Sequence, residues 1–215
     1  MRVTIIGAGN MGRAIGMRAL AGGHDVELID HNPDKAASIA EELQSGAQDG
    51  ASVETPDPGG AITGEVVVLA VYYGALQKAI GQYGDQLGGK VVVDISNPID
   101  FEGFDGLAIP ADTSAAEEVA TLVPDDAKIV KAFNTTFAGT VAAGEVAGQP
   151  LDVLIAGDDD EAKRTVASLA EDGGLRAIDV GPLRRARQLE QLGFLHVVLQ
   201  DKLGTGYGST VKLLA

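Results

Sequence analysis

Cysteine and tryptophan are absent from the 215 residues, aromatic residues make up only 4%, and Lys plus Arg number 16 against 31 Asp plus Glu. Each scarcity closes a route. Without cysteine there are no disulfides, no thiol nucleophile and no thiolate metal site. A net charge of -15 turns away nucleic acid, because one polyanion repels another. Long apolar runs are missing too. The longest, such as EVVVLAVYY from Glu65 to Tyr73, are too short to span a bilayer. The chain passes straight from its first residue into an expected strand, so no signal peptide is foreseen and a cytoplasmic protein is expected. No His or carboxylate cluster has metal-ligand spacing.

What remains is ordinary globular material, 45% apolar and 22% charged, long enough to bury a real core. Short β-branched runs alternate with Ala-rich helical stretches. RVTIIG, DVELID, EVVVLAV, KVVVDIS and KIVKAFN read as strands, with ASVET as a shorter one. Helices are expected from MGRAIGMRALAGG, stopped by Gly22 and Gly23, from Pro33 to Gln44 with Asn32 as N-cap, and in SAAEEVATLV. This βαβα rhythm predicts an α/β fold, a Rossmann-type doubly wound parallel sheet over residues 1–134. Residues 135–215 read as a small C-terminal α/β extension completing the cleft. In it, LDVLIAG and LRAIDVG flank a helix capped by Asp158 with Glu161 at its third position, and a last long helix runs from Leu183 to Leu203.

Gly7, Gly9 and Gly12 fit G-x-G-x-x-G between a strand and a helix. The first glycine permits the tight turn, the second lets the backbone approach a pyrophosphate, and the third lets helix and strand pack closely. The helix N-terminus then offers free N–H groups to phosphates, with Asn10 and Met11 beside them. Asp30 lies 18 residues after Gly12 at the end of the second strand, where a carboxylate accepts from a ribose 2′-OH and repels a 2′-phosphate. On charge it favours NAD over NADP, with His31, Asn32 and Lys35 alongside. The competing reading is that Asp30 caps the following helix.

Ligands of open α/β sheets lie beyond the carboxyl ends of the strands. Ala70, Val71 and Tyr72 are therefore candidates for flanking ribose and nicotinamide, Asn97 and Pro98 for reaching the ring, and Asn134 and Thr135 for the carboxamide. His24 is expected to be exposed and His196 to be a satisfied core histidine. No acid–base or nucleophilic set stands out, so no residue is singled out as catalytic. Hydride transfer between two stacked rings fits that absence, since it needs positioning above all. Leu189, Leu192, His196, Leu199 and Leu203 step along one face of the last helix, whose second half is apolar nearly all round. It calls for cover by the core or by a second subunit. Arg184, Arg185 and Arg187 at its start point either to an anionic partner or to salt bridges with surface carboxylates.

The glycine loop, the stretch GDDDEAKRTVASLAEDGGLRAIDVGPLRRARQLE (Gly157 to Glu190) and the ending GTGYGS resemble the F420-dependent NADP reductase family. KAFNT (Lys131 to Thr135) is also similar to the reductase domains of membrane ferric reductases. The resemblance implies hydride transfer between a nicotinamide dinucleotide and the deazaflavin coenzyme F420, or a flavin, with no obligatory acid–base residue. It also implies that Gly9, Asn10 and Met11 hold the pyrophosphate, and that Asn97, Pro98, Asn134 and Ala138 lie around the rings. Thr135, Gly206 and Tyr207 would border the second substrate. Where the family presents a Ser-Arg pair to the 2′-phosphate, this chain has Asp30 and His31, and Lys35 alone matches. Other readings are a reductase of another small molecule such as an imine, and a non-catalytic NAD(H)-sensing module. GAGNMGRAI also resembles the opening of pyrroline-5-carboxylate reductase, but strands are expected here where that family has a helical C-terminal domain.

Overall fold

The computed structural model describes residues 1–48 and 50–214. Six strands, β1 (Arg2–Ile6), β2 (Asp25–Ile29), β3 (Val53–Glu54), β4 (Val66–Leu69), β5 (Val91–Asp94) and β6 (Lys128–Lys131), pair parallel in the order 6-5-4-1-2-3. Between them run α1 (Asn10–Ala21), α2 (Pro33–Gln44), α3 (Tyr73–Tyr83) and α4 (Ala115–Leu122). Strand order reverses between β1 and β4, the switch point where such sheets take ligands. The sequence marks these strands because both faces are covered, which makes them near-continuous apolar runs. Successive side chains go to opposite layers. Ile5, Val66, Val68 and Val93 join one buried cluster, while Ile6, Val67, Leu69 and Val92 join the other. Each such side chain contributes roughly 1.5–3 kcal/mol on burial.

Past β6 come α5 (Ala138–Ala143), a small hairpin of β7 (Glu145–Val146) and β8 (Gln149–Pro150), then β9 (Asp152–Gly157), α6 (Asp160–Asp172), β10 (Arg176–Gly181), α7 (Ala186–Val198) and α8 (Gln200–Leu203). β9 pairs antiparallel with β6, and β10 pairs parallel with β9, so the C-terminal region extends the same sheet to eight strands. α7 therefore climbs from the far edge of the sheet toward the strand ends where β1, β4, β5 and β6 stop. Leu183, in the turn before it, and Ala186 at its start pack in the α3–α4 layer, and its Gly193 reaches the exits of β5 and β6.

Asn32 caps α2 by accepting from the Lys35 N–H, with Pro33 at the first position, as the sequence predicts. Four expectations are corrected. The cap of α6 is Asp159, which accepts from the Glu161 and Ala162 amides, while Asp158 is drawn away to accept from the Leu183 N–H. The last helix is three pieces, a 3-10 turn at Leu183–Arg185 followed by α7 and α8, and it ends at Gly204 in a left-handed turn. His24 is buried, with Nδ1 against the N-terminal amine and Nε2 3.2 Å from Asp172. The KIVKAFN strand stops at Lys131, because Phe133 turns to φ +60°. α3 and α5 lie outside the helices expected from the sequence, although α5 ends at Gly144 in a left-handed turn, an ordinary helix stop.

Candidate functional site

The glycine loop behaves as its spacing demands. Gly7 has φ +114°, and a Cβ there would stand 2.4 Å from the Ala70 carbonyl oxygen. The turn thus brings the exit of β4, Ala70 and Val71, against the loop. A Cβ on Gly12 would meet the Gly7 carbonyl at 2.0 Å, so the third glycine is what lets α1 seat on β1. At Gly9 a Cβ would meet nothing within 4 Å. Gly9 is the N-cap of the twelve-residue α1, and among the described residues no side chain caps that helix. The free N–H groups and positive end of α1 therefore open onto clear space, the arrangement that suits a pyrophosphate. Asn10, on the open side, is exposed and Met11 half-buried.

Asp30 is turned inward, its side chain only 5% exposed. Oδ2 accepts from the Ala8 N–H at 2.8 Å, and Oδ1 accepts from the Asn32 N–H at 3.0 Å. Burial alone would raise its pKa. The two amides, with Lys35 at 3.4 Å and His31 at 2.9 Å, outweigh that and hold the carboxyl below its ordinary value. Asp30 thus ties the glycine loop to the end of β2, and helix capping falls to Asn32. His31 projects outward, its side chain 89% exposed.

Asn97 and Asn134 meet across the exits of β5 and β6. The Asn97 Nδ2 donates to the Asn134 carbonyl oxygen at 2.7 Å, and the Asn134 Nδ2 donates to Asn97 Oδ1 at 2.9 Å and to the Leu189 carbonyl oxygen of α7 at 3.0 Å. Among the described residues Asn134 Oδ1, a buried acceptor, has no partner. Pro98 is buried behind Asn97, its carbonyl accepting from the Ala108 N–H. Tyr72 stands apart, its side chain in solvent at the N-cap of α3. Ala138 opens α5 and is half-buried against the β1 layer.

Thr135 is buried, and its carbonyl meets His196 Nδ1 at 3.1 Å. His196 Nε2 meets the Ser209 Oγ at 2.9 Å, and the ring lies 4.3 Å from Phe137, centroid to centroid. Tyr207, half-exposed and at φ +63°, stands edge-on to Phe137 at 5.0 Å. The Gly204–Ser209 turn, with Gly206 at φ +56°, is thereby pinned beside the β6 exit. Burial lowers the His196 pKa, against a smaller opposing pull from the Thr135 carbonyl, so the ring is neutral at pH 7, as a satisfied core histidine. Arg187, near the start of α7, pairs with Glu117 in the first turn of α4 at 2.6 Å, which supports the salt-bridge reading for that arginine.

Three groups escaped the sequence reading. Lys131, Asp94 and Glu190 are fully buried below the Asn97–Asn134 pair. The Lys131 Nζ lies 2.7 Å from Asp94 Oδ2, 2.8 Å from Glu190 Oε1 and 2.5 Å from the Ser96 carbonyl. Glu190 also accepts from the Ala115 and Ala116 amides, so the N-terminus of α4 faces the second carboxylate. The signal was available, because a lysine in an apolar strand and a glutamate in a largely apolar helix each need a partner when buried. Among the described residues no cluster of His, Asp and Glu could hold a metal, and no helix is long and apolar enough to cross a membrane. A cavity of about 610 Å³ lined by Gln77, Ile80, Tyr83 and Leu122 lies at the other end of α3 and shares none of these residues.

Similarity to known proteins follows the same outline. The sequence model of the family described as "NADP oxidoreductase coenzyme F420-dependent" matches residues 2–98. The F420-dependent NADP reductase of Methanocaldococcus jannaschii is 32% identical over 222 residues, covering 96% of this chain and 96% of that protein. Rat metalloreductase STEAP3 is 32% identical over 191 residues, covering 89% of this chain but only 36% of the relative's length. A crystal structure from Arthrobacter sp. FB24, provisionally named an F420-dependent NADP-reductase, superposes at TM-score 0.80 with 28% identity over 99% of both chains.

Proposed function

Since the chain belongs to the F420-dependent NADP reductase family, we propose that it is an oxidoreductase that carries hydride between a nicotinamide dinucleotide and a deazaflavin of the F420 type. The observation that carries the dinucleotide half is the uncapped N-terminus of α1 opening over Gly9. The Gly7–Gly12 loop would hold the pyrophosphate, with Asn10 and Met11 beside it, and Ala70 and Val71 would flank the ribose. Asn97, Pro98, Asn134 and Ala138 would surround the ring end, where the unpartnered Asn134 Oδ1 fits the amide donor of a carboxamide. The bound nicotinamide supplies the hydride chemistry. The chain's own residues orient it and exclude water. Thr135, Gly206 and Tyr207 would border the second ring system. The charged groups at the exits of β5 and β6, Lys131, Asp94 and Glu190, are fully buried and engaged with one another.

At the adenosine end Asp30 would favour NAD(H) through its charge, because its oxygens are already engaged by the Ala8 and Asn32 amides. Exposed Lys35 and His31 would leave NADP(H) usable. Residues 1–134 would form the dinucleotide-binding domain and 135–215 the part that completes the cleft, in a cytoplasmic protein. A homodimer through α7 and α8 would cover Leu195, Leu199 and Leu203, which stay exposed. Sedimentation velocity tests that assembly. The activity is tested by anaerobic reduction of oxidised coenzyme F420 with NADH and NADPH in parallel. Loss of the deazaflavin absorbance is expected with both donors, faster with NADH. No reduction by either, despite dinucleotide binding, would remove the deazaflavin from the reading.

A further inference from the structure

We propose that Glu190 and Gly193, one helical turn apart on α7, are positioning residues that set which atom of Asn134 faces the ring end of a bound dinucleotide. This rests on the dinucleotide reading above. Gly193 lies inside a helix, where glycine costs about 1 kcal/mol relative to alanine. Its backbone needs no left-handed conformation. The reason for glycine is proximity: a Cβ there would stand 2.8 Å from Asn97 Oδ1, 2.9 Å from the Asn134 carbonyl oxygen and 3.0 Å from Asn97 Nδ2. α7 is pressed onto the Asn97–Asn134 pair at the one position that leaves it room.

The contact has a chemical consequence. Both acceptors around the Asn134 Nδ2, the Asn97 Oδ1 and the Leu189 carbonyl, claim its two donor hydrogens. With the amide nitrogen committed, the oxygen is the atom left over, and it is left without a partner. One of the two acceptors belongs to α7. The helix therefore selects the amide orientation that presents an acceptor, the group a carboxamide N–H needs. Glu190 fixes the height of α7 at that point. It is anchored from two sides, by the Lys131 Nζ, which also takes the Ser96 carbonyl beside Asn97, and by the α4 amides. A charged group buried on three elements has little freedom to slide, because any displacement strands a charge.

The test compares whole and truncated dinucleotides by calorimetry. NADH and ADP-ribose, with NADPH and 2′-phospho-ADP-ribose in parallel, are titrated into the wild type, Gly193→Ala and Glu190→Gln. The wild type is expected to bind each whole dinucleotide more tightly than its fragment. In Gly193→Ala the methyl displaces Asn97 and Asn134, so affinity for the whole dinucleotide falls about tenfold toward that of the fragment, the value of one well-made hydrogen bond. Fragment affinity stays unchanged. Glu190→Gln is expected to do the same, since its amide still accepts from Lys131 but sets an NH2 against the Ala115 or Ala116 N–H. Unchanged whole-dinucleotide affinity in either folded variant, or a fragment affinity that falls equally, overturns the proposal. Equal affinity of whole and fragment in the wild type overturns the ring assignment, and with it the proposal, whereas no binding of either whole or fragment overturns the dinucleotide reading itself.

Discussion

Gly9 and Gly12 belong to one motif, yet alanine at each should fail in a different way. At Gly12 the new methyl would lie 2.0 Å from the Gly7 carbonyl oxygen and 3.2 Å from Ile5 Cγ2, in contact with backbone that cannot rotate aside. Overpacking of this kind costs about 1–3 kcal/mol, and in a chain this size that lowers Tm by roughly 2–12 °C. At Gly9 the same methyl meets nothing, at an ordinary φ of -81°. Replacing glycine by alanine at an N-cap costs about 0.5 kcal/mol, so Tm should move by only about 1–2 °C. The methyl would stand where the pyrophosphate approaches the α1 amides. Loss of one charge-assisted hydrogen bond weakens NAD(P)H binding by roughly 10–100-fold. Thermal melts read the first effect and calorimetry the second. Wild-type NAD(P)H affinity in Gly9→Ala would show that the phosphates do not sit on this helix. Equal melting losses in the two variants would show that the spacing serves the fold alone.

Other consequences follow from buried charge. Asp30→Asn keeps an acceptor for the loop and removes the charge, so the NADPH-to-NADH affinity ratio should rise about tenfold. Asp30→Ala, which also drops the Ala8 anchor, should show the same rise in ratio with weaker binding of both, and an unchanged ratio in the Asn variant would place nucleotide choice elsewhere. Lys131→Met would strand Asp94 and Glu190 without their cation and should cost about 3–5 kcal/mol in urea unfolding. A loss below about 1 kcal/mol would mean the triad is not the staple it resembles. His24 and His196 both titrate below the ordinary histidine value, because burial disfavours the charged ring. The unfolded chain takes up those protons below about pH 6.5 while the folded chain resists. Stability should therefore be complete above that pH and fall beneath it, by at most about 1.4 kcal/mol per pH unit for each histidine. His196→Gln should flatten that slope, and an unaltered slope would clear His196 of the effect.

What the sequence disclosed, and what it hid, divides along one physical line. Local rules were legible. The three glycines announced a turn, an opening and a close packing, and the structure has a φ of +114° at Gly7, empty space at Gly9 and a 2.0 Å constraint at Gly12. Asn32 with Pro33 announced a cap, and the valine runs announced strands buried on both faces. Relations between distant segments were not legible. Asp30 could be read as a ribose acceptor or a cap, but its main contact is the Ala8 amide 22 residues away, which only the fold supplies. Asp158 and Asp159 are equivalent by local rules, and the choice between them was made by Leu183, 25 residues from Asp158. Lys131, Asp94 and Glu190 each carried a sign of needing company, though nothing local said that they needed one another. Gly193 gave the least warning, since a helical glycine reads as a flaw until Asn97 and Asn134 stand beside it. The pattern is causal: a motif that binds by its own backbone can be written in consecutive residues. A pocket floor assembled by β5, β6 and α7 exists only where three separate elements meet, so its specification is spread over about a hundred residues of chain.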